Sequence, residues 1–267
     1  MTELNLKYLL DETIKLSSQA AEEIVKIYNT DFNVETKDDR SPLTAADLAS
    51  HQCLVAGLEK LTPEIPILSE ESSQLPYSER QQWKTYWLLD PLDGTKEFIK
   101  RNGEFTVNVA LIQNNRPILG IVYVPVSGVC YFGAEGFGAW KQTVNQQPQA
   151  ISVRKTATKP FTVVGSRSHK TEELARYLNR LGAHELVSMG SSLKLCLIAE
   201  GKADLYPRIG LTSEWDTAAS QCVVEQAGGR VTDLQGQALA YNTKDEYLNP
   251  YFLVFGDASH DWTAYAG

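Results

Sequence analysis

The feature that most constrains this sequence is a short apolar run ending on two acids, Trp87-Leu88-Leu89-Asp90-Pro91-Leu92-Asp93-Gly94-Thr95. Its length and apolar residues predict a buried strand, and Pro91 and Gly94 predict a rigid turn at the strand's end. Asp90 and Asp93 would then converge on one point, where two carboxylates repel each other and are costly to desolvate. A bound divalent cation would resolve that conflict. A surface turn with two solvated acids is the alternative.

Further acids stand at the ends of other predicted elements. Glu70 and Glu71 follow a short apolar run, Asp216 lies at a predicted helix start, and Asp47 follows Thr44 in a capping arrangement. Taken alone, a solvated loop explains the two glutamates, and the helix dipole explains the two aspartates. A site of oxygen ligands without His or Cys favours magnesium or manganese over zinc.

Hydrophobic periodicity predicts a chain of mixed α and β structure. Helices are predicted at about 3–29, 44–60, 171–181, 191–200 and 215–227, and strands at 86–89, 105–112, 118–124, 129–132 and 161–164. Several strands in a row, followed by alternating strands and helices, predict layered packing. The polar stretch 142–149 predicts a boundary between an N-terminal α+β half, 1–148, and a C-terminal α/β half, 149–267.

Composition limits the class of partner. The formal net charge of −8 argues against a nucleic-acid polymer, whereas a small phosphorylated ligand needs only a few local cations. No stretch approaches the ~20 apolar residues needed to span a bilayer, and the acidic N-terminal segment does not resemble a signal peptide. The 4 cysteines form no CxxC pair, so we expect reduced thiols in a cytoplasmic protein.

Three motifs, taken together, resemble the inositol monophosphatase superfamily, and the resemblance runs nearly end to end. In chain order they are Leu68-Ser69-Glu70-Glu71-Ser72, Asp90-Pro91-Leu92-Asp93-Gly94-Thr95 and Trp215-Asp216-Thr217-Ala218-Ala219. Further segments are similar to its CysQ-type 3′(2′),5′-bisphosphate nucleotidases: Lys96-Glu97-Phe98, Gly165-Ser166-Arg167-Ser168-His169, Gly190-Ser191-Ser192-Leu193-Lys194 and Leu205-Tyr206-Pro207-Arg208. The implied fold is α+β, the layered α-β-α-β-α sandwich of the inositol monophosphatase and fructose-1,6-bisphosphatase type.

The resemblance implies a magnesium-dependent hydrolase that removes the 3′-phosphate of adenosine 3′,5′-bisphosphate, giving AMP and phosphate by attack of metal-activated water. It also implies action on 3′-phosphoadenylyl sulfate, a role in sulfur metabolism and inhibition by lithium. An inositol or sugar monophosphatase with the same metal site is the alternative, and a non-catalytic nucleotide or metal sensor is a third hypothesis. Either a monomer or a homodimer fits the resemblance. So does a cytoplasmic location, free or peripheral on the cytoplasmic face of the inner membrane.

The resemblance further implies how the site residues divide their work. Two or three Mg²⁺ ions, replaceable by Mn²⁺, would be held by the side chains of Glu70, Asp90, Asp93 and Asp216 and by the backbone carbonyl of Leu92. The catalytic residues would be Asp47, Glu70 and Thr95. Thr95 would hydrogen-bond the attacking water and Asp47, and Glu70 would help to deprotonate that water.

Substrate contacts are implied for a larger set: Glu70, Leu92, Asp93, Gly94, Thr95, Ser166, His169, Ser191, Lys194, Tyr206, Arg208 and Asp216. Lys194 and Arg208 are the candidates for a second phosphate, with Ser191 predicted on nearly the same helix face as Lys194. The N–H groups of Gly94 and Thr95 would cradle phosphate oxygens at a helix start. Each of these residues has an alternative role. Lys194 and Arg208 would be solvated surface charges, the serines and His169 would cap helices, and Tyr206 would pack in the core.

Overall fold

The computed structural model describes residues 4–31, 34–36, 42–72, 75–165 and 171–266. The helices in these ranges are α1 (Leu6–Tyr28), α2 (Ala45–Leu61), α3 (Tyr77–Arg80), α4 (Thr95–Ile99), α5 (Glu172–Leu181), α6 (Leu193–Ala199) and α7 (Glu214–Gln226), with 3-10 turns at Glu70–Ser72 and Trp262–Tyr265. The strands there are β1 (Val34–Thr36), β2 (Pro42–Thr44), β3 (Ile67–Ser69), β4 (Thr85–Asp93), β5 (Thr106–Gln113), β6 (Arg116–Val124), β7 (Val129–Ala134), β8 (Gly138–Gln142), β9 (Gln149–Ala150), β10 (Phe161–Gly165), β11 (His184–Ser188), β12 (Leu205–Arg208), β13 (Arg230–Asp233) and β14 (Phe252–Phe255).

The first large sheet has the strand order β3-β4-β5-β6-β7-β8-β9, with β3 parallel to β4 and the other pairs antiparallel. Its central strands are apolar on both faces, because side chains alternate between faces and both faces are covered. On β5, Val107 and Val109 pack with α1 and α2, whereas Ala110 and Ile112 pack with α7.

The second sheet has the order β11-β10-β12-β14-β13, in which β10 runs parallel to both of its neighbours and β14 runs antiparallel to both of its own. The same alternation covers both of its faces. Val164 and Val254 pack with α6 and α7, while Val163 and Leu253 pack with α5 and the C-terminal 3-10 turn.

These contacts define five layers in order. Helices α1 and α2 cover the first sheet, helices α6 and α7 lie between the first and the second sheet, and α5 covers the other face of the second sheet. The predicted α-β-α-β-α sandwich is therefore confirmed. Within the described ranges, no helix has the length and apolar character needed to cross a bilayer.

The predicted helices and strands are present, and two of their boundaries matter for the site. β4 continues to Asp93, with an irregular register between Asp90 and Asp93, although the strand was predicted to end before the acids. The helix predicted to start at Ser191 begins at Leu193, because Ser191 has a left-handed backbone with φ of 53°. The prediction that Ser191 and Lys194 share a helix face was therefore wrong.

Candidate active site

The predicted acids meet in a cavity of about 310 Å³ at the end of β4. Its walls include Glu70, Asp90, Asp93 and Asp216. Strand β4 supplies two of these acids from the first sheet, and the first turn of α7 supplies Asp216 from the layer between the sheets. Residues more than a hundred positions apart thus face one space.

Three of the acids form a tight cluster. One carboxylate oxygen from each of Asp90, Asp93 and Asp216 lies within 4.8 Å of the others. Asp90 is only 1% exposed, and the other two are partly exposed. Like charges this close, sheltered from water, need a cation or bound protons to coexist.

Burial and repulsion raise the pKa values of these acids. Burial and the neighbouring Glu70 hold the pKa of Asp90 well above its ordinary value, with further contributions from Asp93 and Asp216. Burial, Asp93 and Glu70 raise the pKa of Asp216 to about 8. Without a cation, part of the cluster would be protonated near neutral pH.

Each acid of the cluster has one oxygen already engaged by a protein donor. The N–H of Leu92 donates to Asp90 Oδ1 at 3.1 Å, and the N–H of Ser213 donates to Asp216 Oδ2 at 2.9 Å. The N–H of Ser192 donates to Asp93 Oδ2 at 2.6 Å. These bonds fix the carboxylates and leave each a second oxygen, so the hard oxygen donors fit a magnesium or manganese ion.

Glu70 and Leu92 complete the predicted ligand set at the same cavity. Glu70 begins the 3-10 turn directly after β3 and lies outside the tight cluster of three acids, although its charge raises the pKa values of Asp90 and Asp216. Leu92 lines the cavity and is 2% exposed. The hydroxyl of Ser50, on α2, donates to the Pro91 carbonyl at 2.7 Å and so holds the turn between the two aspartates.

The predicted Thr95–Asp47 pair is in contact. The Thr95 hydroxyl donates to Asp47 Oδ1 at 3.4 Å, and the N–H and hydroxyl of Thr44 donate to Asp47 Oδ2 at 2.8 and 2.6 Å. Asp47 thereby completes the capping box of α2, whose N-cap is Thr44, and is also the partner of Thr95. Gly94, with φ of 94°, makes the reversal that starts α4 at Thr95, a conformation that a side chain disfavours.

Two cationic side chains also line the cavity. Lys194 Nζ donates to the Ser191 carbonyl at 2.5 Å and stands 5.7 Å from the centre of the Tyr206 ring. Burial lowers the pKa of Lys194, although nearby Asp93 opposes that effect. Arg208 donates to the Thr212 hydroxyl at 2.6 Å and to the Leu211 carbonyl at 2.5 Å. Both cations are therefore held in the cavity wall.

Two of the predicted substrate residues, Ser166 and His169, lie outside the described residues. Ser191 lines the cavity, but its hydroxyl donates to Asp93 Oδ2 at 2.6 Å and lies 2.6 Å from Thr106 Oγ1. Tyr206 is 3% exposed, packs on Phe252 and lines the cavity, so it belongs both to the core and to the cavity wall.

Sequence reasoning missed the polar residues behind Asp93. They are Thr106, Asn108 and Ser192, which are 0%, 1% and 2% exposed. Asn108 donates to Ser192 Oγ at 2.7 Å, and Thr106 donates to Asn108 Oδ1 at 3.0 Å. The sequence held one signal for them. Within the apolar run 105–112, Thr106 and Asn108 are polar and two positions apart, which puts both on one face of β5.

The sequence and the fold are similar to those of known proteins. The model of the inositol monophosphatase family matches residues 5–260. The 3′(2′),5′-bisphosphate nucleotidase CysQ of Salmonella typhimurium is 50% identical over 248 residues, 92% of this chain and 99% of that protein. The crystal structure of CysQ from Bacteroides thetaiotaomicron is 40% identical and superposes with a TM-score of 0.82, covering 97% of this chain and 100% of that one. A Thermotoga maritima IMPase, 23% identical with 96% of each chain covered, has a TM-score of 0.79 and shows the likeness of fold alone.

Proposed function

The chain belongs to the inositol monophosphatase family, and on that premise we propose that it removes the 3′-phosphate of adenosine 3′,5′-bisphosphate, giving AMP and phosphate. The relative that is half identical to it is named a 3′(2′),5′-bisphosphate nucleotidase. The observation that carries the choice is one cavity lined both by clustered acids and by the cationic Lys194 and Arg208. A substrate with two phosphates suits this cavity, because one ester meets the acid cluster with its cations while the other phosphate meets the basic side chains.

Two or three Mg²⁺ ions, replaceable by Mn²⁺, would be held by Glu70, Asp90, Asp93, Asp216 and the Leu92 carbonyl. When bound, such ions polarise phosphoryl oxygens and lower the pKa of water. Burial, together with repulsion from Glu70 and the other acids, raises the pKa of Asp90, and this supports the assignment because a bound cation would offset both effects.

Thr95, Asp47 and Glu70 would prepare the attacking water. Because the Thr95 hydroxyl donates to Asp47, its lone pairs remain to accept a hydrogen bond from the water. Asp47 holds its orientation through Thr44, which keeps the Thr95 hydroxyl turned the same way. Glu70, on the wall of the same cavity, would accept the water's proton.

The nucleotide would be held away from the acids. Lys194 and Arg208 would bind the phosphate that is not hydrolysed, Tyr206 would flank the base, and the N–H groups of Gly94 and Thr95 would face the reacting phosphate. Such contacts also accommodate 3′-phosphoadenylyl sulfate, which carries the same 3′-phosphate. The roles of Ser166 and His169 stay predictions.

A comparison of two substrates tests the proposal. We expect the purified protein with Mg²⁺ to release phosphate from adenosine 3′,5′-bisphosphate faster than from inositol monophosphate. Lys194→Ala and Arg208→Ala should each slow the first reaction at least about tenfold, because charged hydrogen bonds to phosphate are lost, and should slow the second much less. Lys202→Ala, an exposed lysine paired with Glu200, is the matched control. Faster hydrolysis of inositol monophosphate would favour the monophosphatase alternative.

A further inference from the structure

We propose that Ser192 and Asn108 are positioning residues that orient Asp93 toward the cations of the site. The inference rests on the proposed function, because it takes Asp93 as a metal ligand. Neither residue was among the predicted site residues, and both are almost fully buried. They act on the metal through Asp93 and not by contact with the substrate.

Ser192 contacts Asp93 through both of its donors. Its N–H and its hydroxyl each lie 2.6 Å from Asp93 Oδ2. The same hydroxyl lies 2.9 Å from the Asp216 backbone carbonyl, a weaker acceptor at a longer distance. An ionised carboxylate is the stronger acceptor, so the single proton of the hydroxyl goes to Asp93.

Asn108 fixes the direction of that hydroxyl. Its Nδ2, which carries protons and no lone pair for bonding, lies 2.7 Å from Ser192 Oγ, so the serine oxygen accepts there. Thr106 Oγ1 lies 3.0 Å from Asn108 Oδ1 and 2.6 Å from Ser191 Oγ, so its proton is shared between these acceptors and the amide is turned with Nδ2 toward Ser192. Asn108 Nδ2 therefore donates to Ser192, which donates to Asp93, and it also makes a longer direct contact of 3.4 Å with Asp93 Oδ2.

The backbone around Ser192 shows that this contact is enforced by the fold. The preceding Ser191 has φ of 53°, an unfavourable conformation for a residue with a side chain. Gly190 lies so near the segment between α4 and β5 that an added Cβ would stand 2.8 Å from the Glu104 carbonyl oxygen, and its N–H donates to Glu104 Oε2 at 2.8 Å. The turn before α6 is thus packed closely against the segment that leads into β5.

The consequence is a carboxylate with one oxygen saturated and one left for a cation. Ser191 and Ser192 give Asp93 Oδ2 three donors at 2.6 Å, which prevents rotation of the carboxylate. Loss of such a partner behind a metal ligand commonly weakens metal affinity ~10–100-fold.

Titration with Mn²⁺, followed by the paramagnetic resonance signal of the free ion, tests the inference without an activity assay. We expect Ser192→Ala to weaken the tightest Mn²⁺ site at least ~10-fold and Asn108→Ala to weaken it less. The double variant should match Ser192→Ala within about twofold, because the contact of Asn108 with the serine, at 2.7 Å, is much shorter than its direct contact with Asp93, at 3.4 Å. Ser220→Ala is the matched control, since this buried hydroxyl donates only to Thr217 within its own helix.

Mn²⁺ affinity in Ser192→Ala equal to that of the control would overturn the inference, and additive losses in the double variant would overturn the relay through Ser192. Thermal unfolding in EDTA checks that each variant folds. If Ser192→Ala does not fold, Asn108→Ala carries the test in the same direction. Wild-type protein that binds no Mn²⁺ would refute the proposed function itself, whereas wild-type binding with an unaffected Ser192→Ala would refute this inference alone.

Discussion

At the scale of single residues, Asp216 shows that the fold disfavours the ionised form of a carboxyl group proposed to bind metal. Its place in the first turn of α7 and the N–H of Ser213 favour the ionised carboxylate. Burial and the neighbouring Asp93 and Glu70 outweigh both effects and raise its pKa to about 8. Protons and divalent cations therefore compete for this carboxylate.

The raised pKa predicts how the stability of the metal-free protein depends on pH. A carboxyl group whose pKa is higher folded than unfolded stabilises the fold fully below its unfolded pKa and loses that contribution as pH rises through the folded pKa. For Asp216 the loss extends from about pH 4 to about pH 8. We expect the Tm in EDTA to fall over that range, and to fall less in Asp216→Asn, which has the same shape but cannot ionise.

Added Mg²⁺ should raise the Tm of the wild type more at about pH 8 than at about pH 5, because fewer protons compete with the ion. Parallel Tm curves for the wild type and Asp216→Asn in EDTA would contradict the assignment.

At the scale of elements, helix α2 connects separate segments of the site. Asp47, Ser50 and His51 lie on one face of the helix, because residues three and four apart are neighbours. They contact Thr95, the Pro91 carbonyl and the Ser69 hydroxyl, the last two at 2.7 and 2.9 Å. One helix face thus sets the relative positions of the β4 turn, the start of α4 and the strand end before Glu70.

Removing the Ser50 contact should cost stability as well as metal affinity. Ser50→Ala leaves the carbonyl between the aspartates without its donor, so we expect the free energy of unfolding in urea with EDTA to fall by about 1–3 kcal/mol. Mn²⁺ binding should weaken too, because the turn is less constrained. Ser78→Ala, at an exposed position in α3, should change the stability by less than about 0.5 kcal/mol. A Ser50 variant as stable as this control would show that the contact contributes nothing.

At the scale of the whole molecule, α6 and α7 form a layer shared by the two sheets. Helix α7 comes from the C-terminal part of the chain but packs on β5, β6 and β7, which come from the N-terminal part. Strand β9, at the predicted boundary, still pairs with β8. The division into halves 1–148 and 149–267 stays a prediction about the chain's organisation.

The shared layer predicts that the N-terminal half is not stable alone. A fragment of residues 1–148 would expose the face of the first sheet that α7 covers, including the fully buried Ala110, Ile112 and Val122. We expect this fragment to bind a hydrophobic dye and to unfold without a cooperative transition, because uncovered apolar surface loses its main stabilisation. A cooperative thermal transition in the fragment would instead establish an independent domain. The full-length chain serves as the control.

Local pattern was sufficient for the elements and for the likeness to a family. The periodicity that predicted α1, α2 and α7 depends on residues three or four apart, and the acids were recognisable by type and spacing. The local sequence pattern was insufficient at Ser191, where the predicted helix start was wrong. There the chain makes a left-handed turn beside Gly190, which packs closely on Glu97 and Glu104, and helix propensity does not encode contacts with a distant segment.

Periodicity and motif spacing were enough to predict layered α and β packing, the family resemblance and the candidate acids, because these patterns can be read from short segments of the chain. Folding then brings distant groups together: Asp216 joins Asp90 and Asp93 within 4.8 Å, and Asn108 and Ser192 stand behind Asp93. Such contacts cannot be read from short segments, because a buried carboxylate takes its orientation and pKa from every donor and charge around it. Those neighbours come from strands and helices that are far apart along the chain.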